Sequence, residues 1–411
     1  MKKWFIPATI AAAMALTTTL FAAEPVFEQN GDKYEFGHFT VEAVELNANA
    51  EDFNENGDVS IYHIMDYTAA VPMADSYDAN GVTDANNTSS TYVVTTADQA
   101  LVIDLGNGAP ATAGHFGEDA EDQAVLDAID AEFKELIQSL AGDRKITVAI
   151  THNHGDHVGY ITALAGEGYP LYFAEGDYNE RFQRTYGESF AQYDLILFTP
   201  GELTIDLGDV ALESIDCKGH TDASVLYLLT TPVVHYTYND AGEATDSSAT
   251  YYLFAGDAVG SGSTGWFFSK AGIDLFSESI VAVEAKMAAT VDYNDYLGGE
   301  EKHDAVLHIL GGHGWQIWNR FGTCAMDIRY IENLKTLTEK IPEGTWVAEG
   351  TDGKTLEELL QEGYVVTKPT GAWLDTSIYY GPELDAVAGI TTSTATLNEI
   401  AGITTEEPAA N

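Results

Sequence analysis

His152, His154, Asp156 and His157 are residue types that commonly ligate metal ions, and all lie within the short segment Thr151-His152-Asn153-His154-Gly155-Asp156-His157-Val158-Gly159. Imidazole nitrogens mixed with a carboxylate suit a borderline cation such as zinc. A lone His-x-His carries little weight, because isolated histidines are ordinarily polar surface or hydrogen-bonded core residues. A cluster this dense, released directly after an apolar run, reads as a metal site. Further ligand types stand beside glycine at the ends of other apolar runs: His220 in Lys218-Gly219-His220, Asp257 in Phe254-Ala255-Gly256-Asp257, and His313 in Gly311-Gly312-His313-Gly314. Glycine permits the tight turns and close backbone approach that such a site demands. Singly, each is an ordinary turn residue. The recurrence of one device argues for a common centre.

The elements that must aim these side chains are readable from periodicity. Residues 146–150 read as a buried strand leading into the histidine-rich loop, and 159–164 as the first turns of a helix leaving it. Upstream, 39–46 and 59–64 alternate like strands, and 91–95 with 100–104 bracket a polar turn as in a hairpin. From 119 to 140, Val125, Leu126, Ile129, Phe133, Leu136, Ile137 and Leu140 fall at helical spacing, and Gly142 stops the run. Downstream, 203–206, 210–215 and 224–229 read as strands, and 233–238 with 250–254 as a second hairpin. Residues 177–184, 326–341 and 355–360 read as helices. The polar stretch 74–90 is a loop long enough to border a site. Strands alternating with helices in this order predict an α/β layer arrangement.

Composition bounds the function. The chain has 411 residues, 45% hydrophobic and 11% aromatic, enough for a sizeable core. Its 65 acidic against 18 basic residues give a formal charge of −47, a field that repels nucleic acid, anionic lipid and polyphosphate. Lys2 and Lys3 precede an apolar stretch, residues 4–21, that ends in small Ala22 and Ala23. That is the pattern of a secretory signal peptide; an uncleaved membrane anchor is the alternative. The reading divides the chain into a signal peptide at 1–23, a metal-binding domain at 24–340 and a C-terminal accessory segment with a polar tail at 341–411. The tail repeats Ala-Gly-Ile-Thr-Thr at 388 and 401, too little for a repeat architecture. Cys217 and Cys324 are the only cysteines, and their spacing does not decide whether they pair.

In its order, the set His152-x-His154-x-Asp156-His157, His220, Asp257 and His313 resembles the metallo-β-lactamase fold superfamily of hydrolases, over roughly residues 59–320. The resemblance implies a four-layer αββα sandwich with a metal cleft at one edge of its two sheets, followed by the accessory segment. By position, His152, His154 and His220 would bind one metal ion and Asp156, His157 and His313 a second, with Asp257 bridging both. Zinc is the favoured pair of ions, with iron or manganese as alternatives. Asp104 matches an acidic residue at the end of an early strand; it either orients a metal-bound histidine or simply ends the strand. Two such dications share a water and depress its pKa from about 15.7 towards 7, so that hydroxide attacks a carbonyl or phosphoryl centre. Asp156 or Asp257 would carry the proton to the leaving group.

Departures from family patterns narrow the substrate. The bridging Asp257 speaks against a true β-lactamase and suits thioesterases and lactonases. Ala258-Val259-Gly260, however, stands where lactonases often carry a tyrosine, and no basic cluster for glutathione is recognisable. Phosphodiesterase members fit poorly with the charge. Lys218, where the family usually has proline, reads as a loop substitution. Arg181 and Arg184 read as partners of local carboxylates, and His303, His308, Trp315 and Trp318 as structural. Gly265-Trp266-Phe267-Phe268 either roofs the cleft or packs the sandwich edge, with packing favoured. The expectation is a secreted or cell-envelope hydrolase of small carboxylic esters, lactones or related acyl compounds. Its partner is a small-molecule substrate, with no nucleic acid and membrane contact only through the N-terminal segment. A β-lactam hydrolase, an iron-dependent redox enzyme of the same fold, and a metal-binding protein without turnover are the alternatives.

Overall fold

Alternation along the strands sorts the apolar side chains into separate cores. The computed structural model describes residues 33–45, 59–66, 89–208, 210–239, 244–260, 264–291, 304–313, 327–371 and 373–403. The expected signal peptide, most of the loop at 74–90, His303, Trp315, Trp318, Cys324 and the tail from 404 lie outside these residues. Among the described residues, the first sheet has eight strands in chain order: β1 (Lys33–Phe36), β2 (Phe39–Glu45), β3 (Ser60–Met65), β4 (Ser90–Thr95), β5 (Gln99–Ile103), β6 (Lys145–Ala149), β7 (Pro170–Ala174) and β8 (Asp194–Phe198). It is antiparallel to β5 and parallel from β5 to β8. The second sheet runs β12 (Val233–Tyr238), β13 (Ala244–Gly256), β11 (Val225–Leu229), β10 (Ala211–Asp216), β9 (Thr204–Asp206), with β15 (Asp304–Gly311) parallel to β13.

On β5, Leu101 and Ile103 face the second sheet while Ala100 and Val102 face helices. On β13, Tyr252 and Phe254 face the first sheet while Tyr251, Leu253 and Ala255 face the other way. Both sheets are therefore buried on two faces, which is why these strands read as near-continuous apolar runs. Helices α1 (Ala109–His115), α2 (Gln123–Ala141) and α3 (Glu180–Phe190) cover the first sheet, and α4 (Lys270–Thr290) and α5 (Ile328–Lys340) the second. This is the αββα sandwich. The periodic residues of α2 do what their spacing predicts: Ile129, Phe133, Leu136, Ile137 and Leu140 are buried, Asp122 caps the start by accepting from the Ala124 N–H, and Gly142 ends it at a φ of 59°.

Three details differ from the sequence reading. Residues 159–164 form consecutive turns after a short 3₁₀ helix at Gly155–His157, not a helix. The N–H groups of Gly159 and Tyr160 bond the carbonyls of Gly106 and Leu105, so an i to i−4 ladder cannot start there. Strands β7 and β8 extend the sheet through a stretch read without strands. Finally, the C-terminal strands β16 (Val347–Ala348), β17 (Val366–Pro369), β18 (Thr376–Tyr380) and β19 (Ala388–Thr392) make a third sheet with β14 (Gly265–Trp266), and α6 (Leu356–Gln361) and α7 (Thr394–Ile400) complete that end. This sheet joins the segment that follows Asp257: Gly265 pairs with Ile390 and Trp266 with Thr391, and Thr391 Oγ1 donates to Thr264 Oγ1 at 2.7 Å.

Candidate metal centre

Every candidate ligand hangs from the same edge of the two sheets. Strand β6 releases the loop bearing His152, His154, Asp156 and His157. His220 follows β10, Asp257 follows β13 and His313 follows β15. The pairing of β13 with β15 sets Gly256 beside Gly311 and so brings Asp257 and His313 together. One ligand atom from each of His152, His154, His220 and Asp257 lies within 4.8 Å of the others, and the same holds for Asp156, His157, Asp257 and His313. Asp257 belongs to both groups. All seven residues picked from the sequence thus meet at one place.

The stems are braced by buried hydroxyls and close glycines. Tyr227 donates to the Ile150 carbonyl at 2.9 Å and Tyr92 to the Gly311 carbonyl at 2.7 Å, each reaching across the sandwich. At Gly256, with φ 48°, a Cβ would stand 2.4 Å from Thr151 Oγ1; at Gly312 it would stand 2.2 Å from Asp257 Oδ1. Side chains are excluded at both positions, which lets the loops converge.

Ring orientation is set by partners behind the cluster. The buried Asp104, at a φ of 59°, accepts from the Thr151 N–H and the Thr151 hydroxyl at 2.7 Å each, and its Oδ2 lies 2.8 Å from His157 Nδ1. Because the Thr151 hydroxyl donates to Asp104, it accepts from His152 Nδ1 at 3.0 Å. His220 Nδ1 donates to the Trp266 carbonyl at 2.8 Å. Each arrangement commits Nδ1 as donor and turns the Nε2 lone pair of His152, His157 and His220 inward. Asp104 therefore both ends β5 and positions two histidines, one directly and one through Thr151.

The sequence reading missed Thr151 and Asp177. Fully buried, Asp177 accepts from the Asn153 N–H at 3.1 Å, the Thr221 hydroxyl at 2.8 Å and the Ala223 N–H at 3.1 Å. It ties the loop of His152 and His154 to the loop of His220. Burial pushes its carboxyl up to about 6 against these bonds. Only its position, three residues past β7, marks it in the sequence.

The donor set fits metal ions. Three buried atoms aimed into the cluster have no hydrogen-bond partner among the described residues: His152 Nε2, His157 Nε2 and Asp257 Oδ1. Orphaned buried groups of this kind are costly, and an ion would satisfy all three. Burial, reinforced by neighbouring imidazoles, lowers the pKa of His152 far below its usual value and that of His154 to about 4. Burial also lowers His220. These three rings are neutral at pH 7, the form that ligates. On the other side, burial opposes charge on His157 and His313, but Asp257 and its neighbouring carboxylates raise both. Burial likewise opposes the Asp257 anion, yet His313 and His157 hold its carboxyl well below the usual range. Asp156 and Asp257 keep 29% and 17% of their side-chain surface exposed, so the cluster opens to solvent on the carboxylate side.

The aromatic segment divides in two. Phe267 is fully buried in the core beneath α4, as packing predicts. Phe268 is 43% exposed, with its ring 6.0 Å from that of His154 and 5.9 Å from that of His220. Lys218 pairs with Asp216 at 2.9 Å, the behaviour of a surface loop residue. Arg181 and Arg184 are exposed on α3, and His308 is half-buried in β15 beside Tyr252. Cys217 is a buried thiol whose pKa burial raises far above the usual range.

This sandwich with its edge cluster is a metal-dependent hydrolase type of fold. Residues 85–234 match the family model described as the metallo-beta-lactamase superfamily. The matched stretch contains Asp104, the histidine-rich loop, Asp177 and His220, and ends before Asp257 and His313. Similar solved structures include a metallo-beta-lactamase from Staphylococcus aureus subsp. aureus COL, at 17% identity and TM-score 0.32, covering 55% of this chain; the chain spans 52% of that protein's length. A metallo-beta-lactamase from Pontibacter korlensis is 14% identical, with 73% of this chain and 99% of that one covered and a TM-score of 0.39. A flavo di-iron protein mutant from Thermotoga maritima is 12% identical, with 72% and 62% covered and a TM-score of 0.38. No curated protein matches the chain.

Proposed function

We propose that the chain is a secreted or envelope-bound hydrolase with two divalent ions, zinc favoured, acting on small carboxylic esters, lactones or related acyl compounds. The observation that carries this reading is the pair of ligand groups sharing Asp257, with orphaned His152 Nε2 and His157 Nε2 turned inward. His152, His154, His220 and Asp257 would hold one ion, and Asp156, His157, His313 and Asp257 the other. Ions bound there supply Lewis acidity and a water of lowered pKa.

The chain's own groups do the rest. Asp104 and Thr151 lock the imidazoles, so little reorganisation accompanies reaction. Asp156, the most open carboxylate of the cluster, takes a proton from the attacking water and returns it to the leaving group. The formal charge of −47 favours neutral substrates and disfavours nucleic acid. Export rests on the basic start and apolar stretch of the first 23 residues.

The test is hydrolysis by the zinc-loaded chain across lactones, aryl esters, thioesters, a chromogenic β-lactam and phosphodiesters, with Asp257→Ala as the blank. Acyl turnover absent from the blank is the expected result. Turnover confined to the β-lactam would replace the substrate class. A second reading draws on the second ligand group, which has two carboxylates and suits iron as well as zinc. Silence across the panel with one tightly held iron per chain would favour that redox reading.

A further inference from the structure

The C-terminal sheet brings an exposed tryptophan to the rim of the metal cluster. Trp373 lies on the short connection between β17 and β18 and is 70% exposed. Its ring stacks on Phe268 with centroids 5.4 Å apart and planes 2° from parallel. Phe268 in turn abuts the imidazoles of His154 and His220. Ligand rings, Phe268 and Trp373 thus form one continuous run, from the buried cluster outward to solvent.

Both aromatics are held rigidly by what flanks them. Phe268 sits between the fully buried Phe267, whose N–H bonds the Thr391 carbonyl at 2.9 Å, and Ser269, whose hydroxyl caps α4 by accepting from the Gly272 N–H. Trp373 is followed by the buried Leu374 and by Asp375, which accepts from the Thr394 N–H and hydroxyl at the start of α7. Leaving two large rings in water, each next to a buried residue, has a hydrophobic cost that packing does not explain. The cations of these segments are engaged elsewhere: Lys270 with Asp274, Lys218 with Asp216 and Lys368 with Glu349. A ligand on this platform therefore meets apolar faces without a counter-ion for an anionic group.

We infer that Phe268 and Trp373 form a substrate platform that selects compounds carrying an uncharged aromatic group beside the scissile acyl bond. The inference rests on the hydrolase reading for the position of that bond. The reacting carbonyl lies over the cluster, and the substrate's ring lies along the Phe268–Trp373 stack, where an offset face or edge contact is favourable. Selection acts on binding, so it falls on KM more than on kcat.

The experiment uses the zinc-loaded chain and two matched ester pairs: phenyl acetate with butyl acetate, and methyl phenylacetate with methyl hexanoate. Trp373→Ala is expected to lower kcat/KM for the aromatic member of at least one pair roughly 3- to 10-fold, while its alkyl partner changes less than about twofold. Trp373→Phe restores most of the loss. Equal losses on aryl and alkyl esters, or no loss, would overturn the platform while leaving hydrolysis intact. A binding arm separates the two readings. N-benzylacetamide, which resists cleavage, is expected to quench tryptophan fluorescence in the parent chain and not in Trp373→Phe. If no ester is cleaved, the ester-substrate reading fails and this titration still decides the platform; quenching that persists in Trp373→Phe would overturn it.

Discussion

The two halves of the sandwich supply the cluster in opposite ways. The first sheet sends one loop, after β6, carrying four of the seven ligand candidates, and backs it with Asp104 and Thr151. The second sheet sends three ligands on three separate connections, each beside glycine, with registry between β13 and β15 setting two of them. Local sequence thus shapes the first contribution, whereas long-range strand pairing shapes the second. Asp177 is the stitch between the halves, bonding Asn153 on one side and Thr221 and Ala223 on the other. If the two contributions differ in this way, lesions in them should differ too.

The largest effect is expected at Asp257, the ligand common to both groups. Asp257→Ala should empty both positions and abolish turnover, whereas His313→Ala should leave one ion per chain in the group of His152, His154 and His220. Metal analysis after dialysis reads the difference; two ions retained by Asp257→Ala would break the shared-ligand assignment. Next comes Asp104. Its loss leaves His157 Nδ1 and the Thr151 hydroxyl without their acceptor, and a drop of roughly 10- to 100-fold in metal affinity or activity is expected. Because Asp104 bonds His157 directly and His152 only through Thr151, the position holding His157 and His313 should weaken more than the position holding His152. Equal, complete loss of both ions would show that the halves do not act separately.

Gly312→Ala probes the second half by shape alone. The added Cβ would lie 2.2 Å from Asp257 Oδ1, 2.8 Å from His157 Cε1 and 2.8 Å from the Gly256 carbonyl carbon. Overpacking of this kind costs about 1–3 kcal/mol. The expected outcome is a lower thermal midpoint together with weaker metal binding, read by calorimetry with and without zinc. Unchanged zinc affinity would mean that the β15 connection can shift freely, contrary to registry control.

Legibility in the sequence follows the same division. The histidine-rich loop is local and dense, so its chemistry shows without a fold. His220, Asp257 and His313 are legible only through their repeated glycine setting. Asp177 and Thr151 carry no pattern, because their importance lies in contacts across 24 to 47 residues. Phe267 and Phe268 are adjacent and chemically alike, yet one is buried and the other is 43% exposed; only the third sheet separates them. The pentapeptide Ala-Gly-Ile-Thr-Thr makes the same point. At 388 it is strand β19, paired with β18 and β14. At 401 its Ala ends α7, Gly402 turns with φ 65°, and the Ile403 N–H bonds back to Asn398. Tertiary partners override local preference where that preference is weak.

The smallest expected effect lies at the far side of the first half, where stability does not depend on metal. His38, in the turn between β1 and β2, places Nδ1 2.7 Å from Glu132 Oε2 on α2. The hydrogen bond to Glu132 raises the His38 pKa above 6.5, opposed by burial and aided by the charges of Glu132 and Glu118. A raised folded pKa means that the native chain holds this proton more tightly than the unfolded chain does. The stabilisation is therefore fully present below the unfolded value near 6.5 and is lost as pH rises through the folded value. For a half-buried pair it amounts to about 1 kcal/mol or less. Urea unfolding of metal-free protein should show His38→Gln less stable than the parent at pH 6, with the gap closing by pH 9. Working without metal keeps the proton-linked loss of ions out of the comparison. A gap that stays constant with pH would assign His38 a packing role against Phe116, whose ring lies 4.7 Å away, and would remove charge from the account of how this half is held.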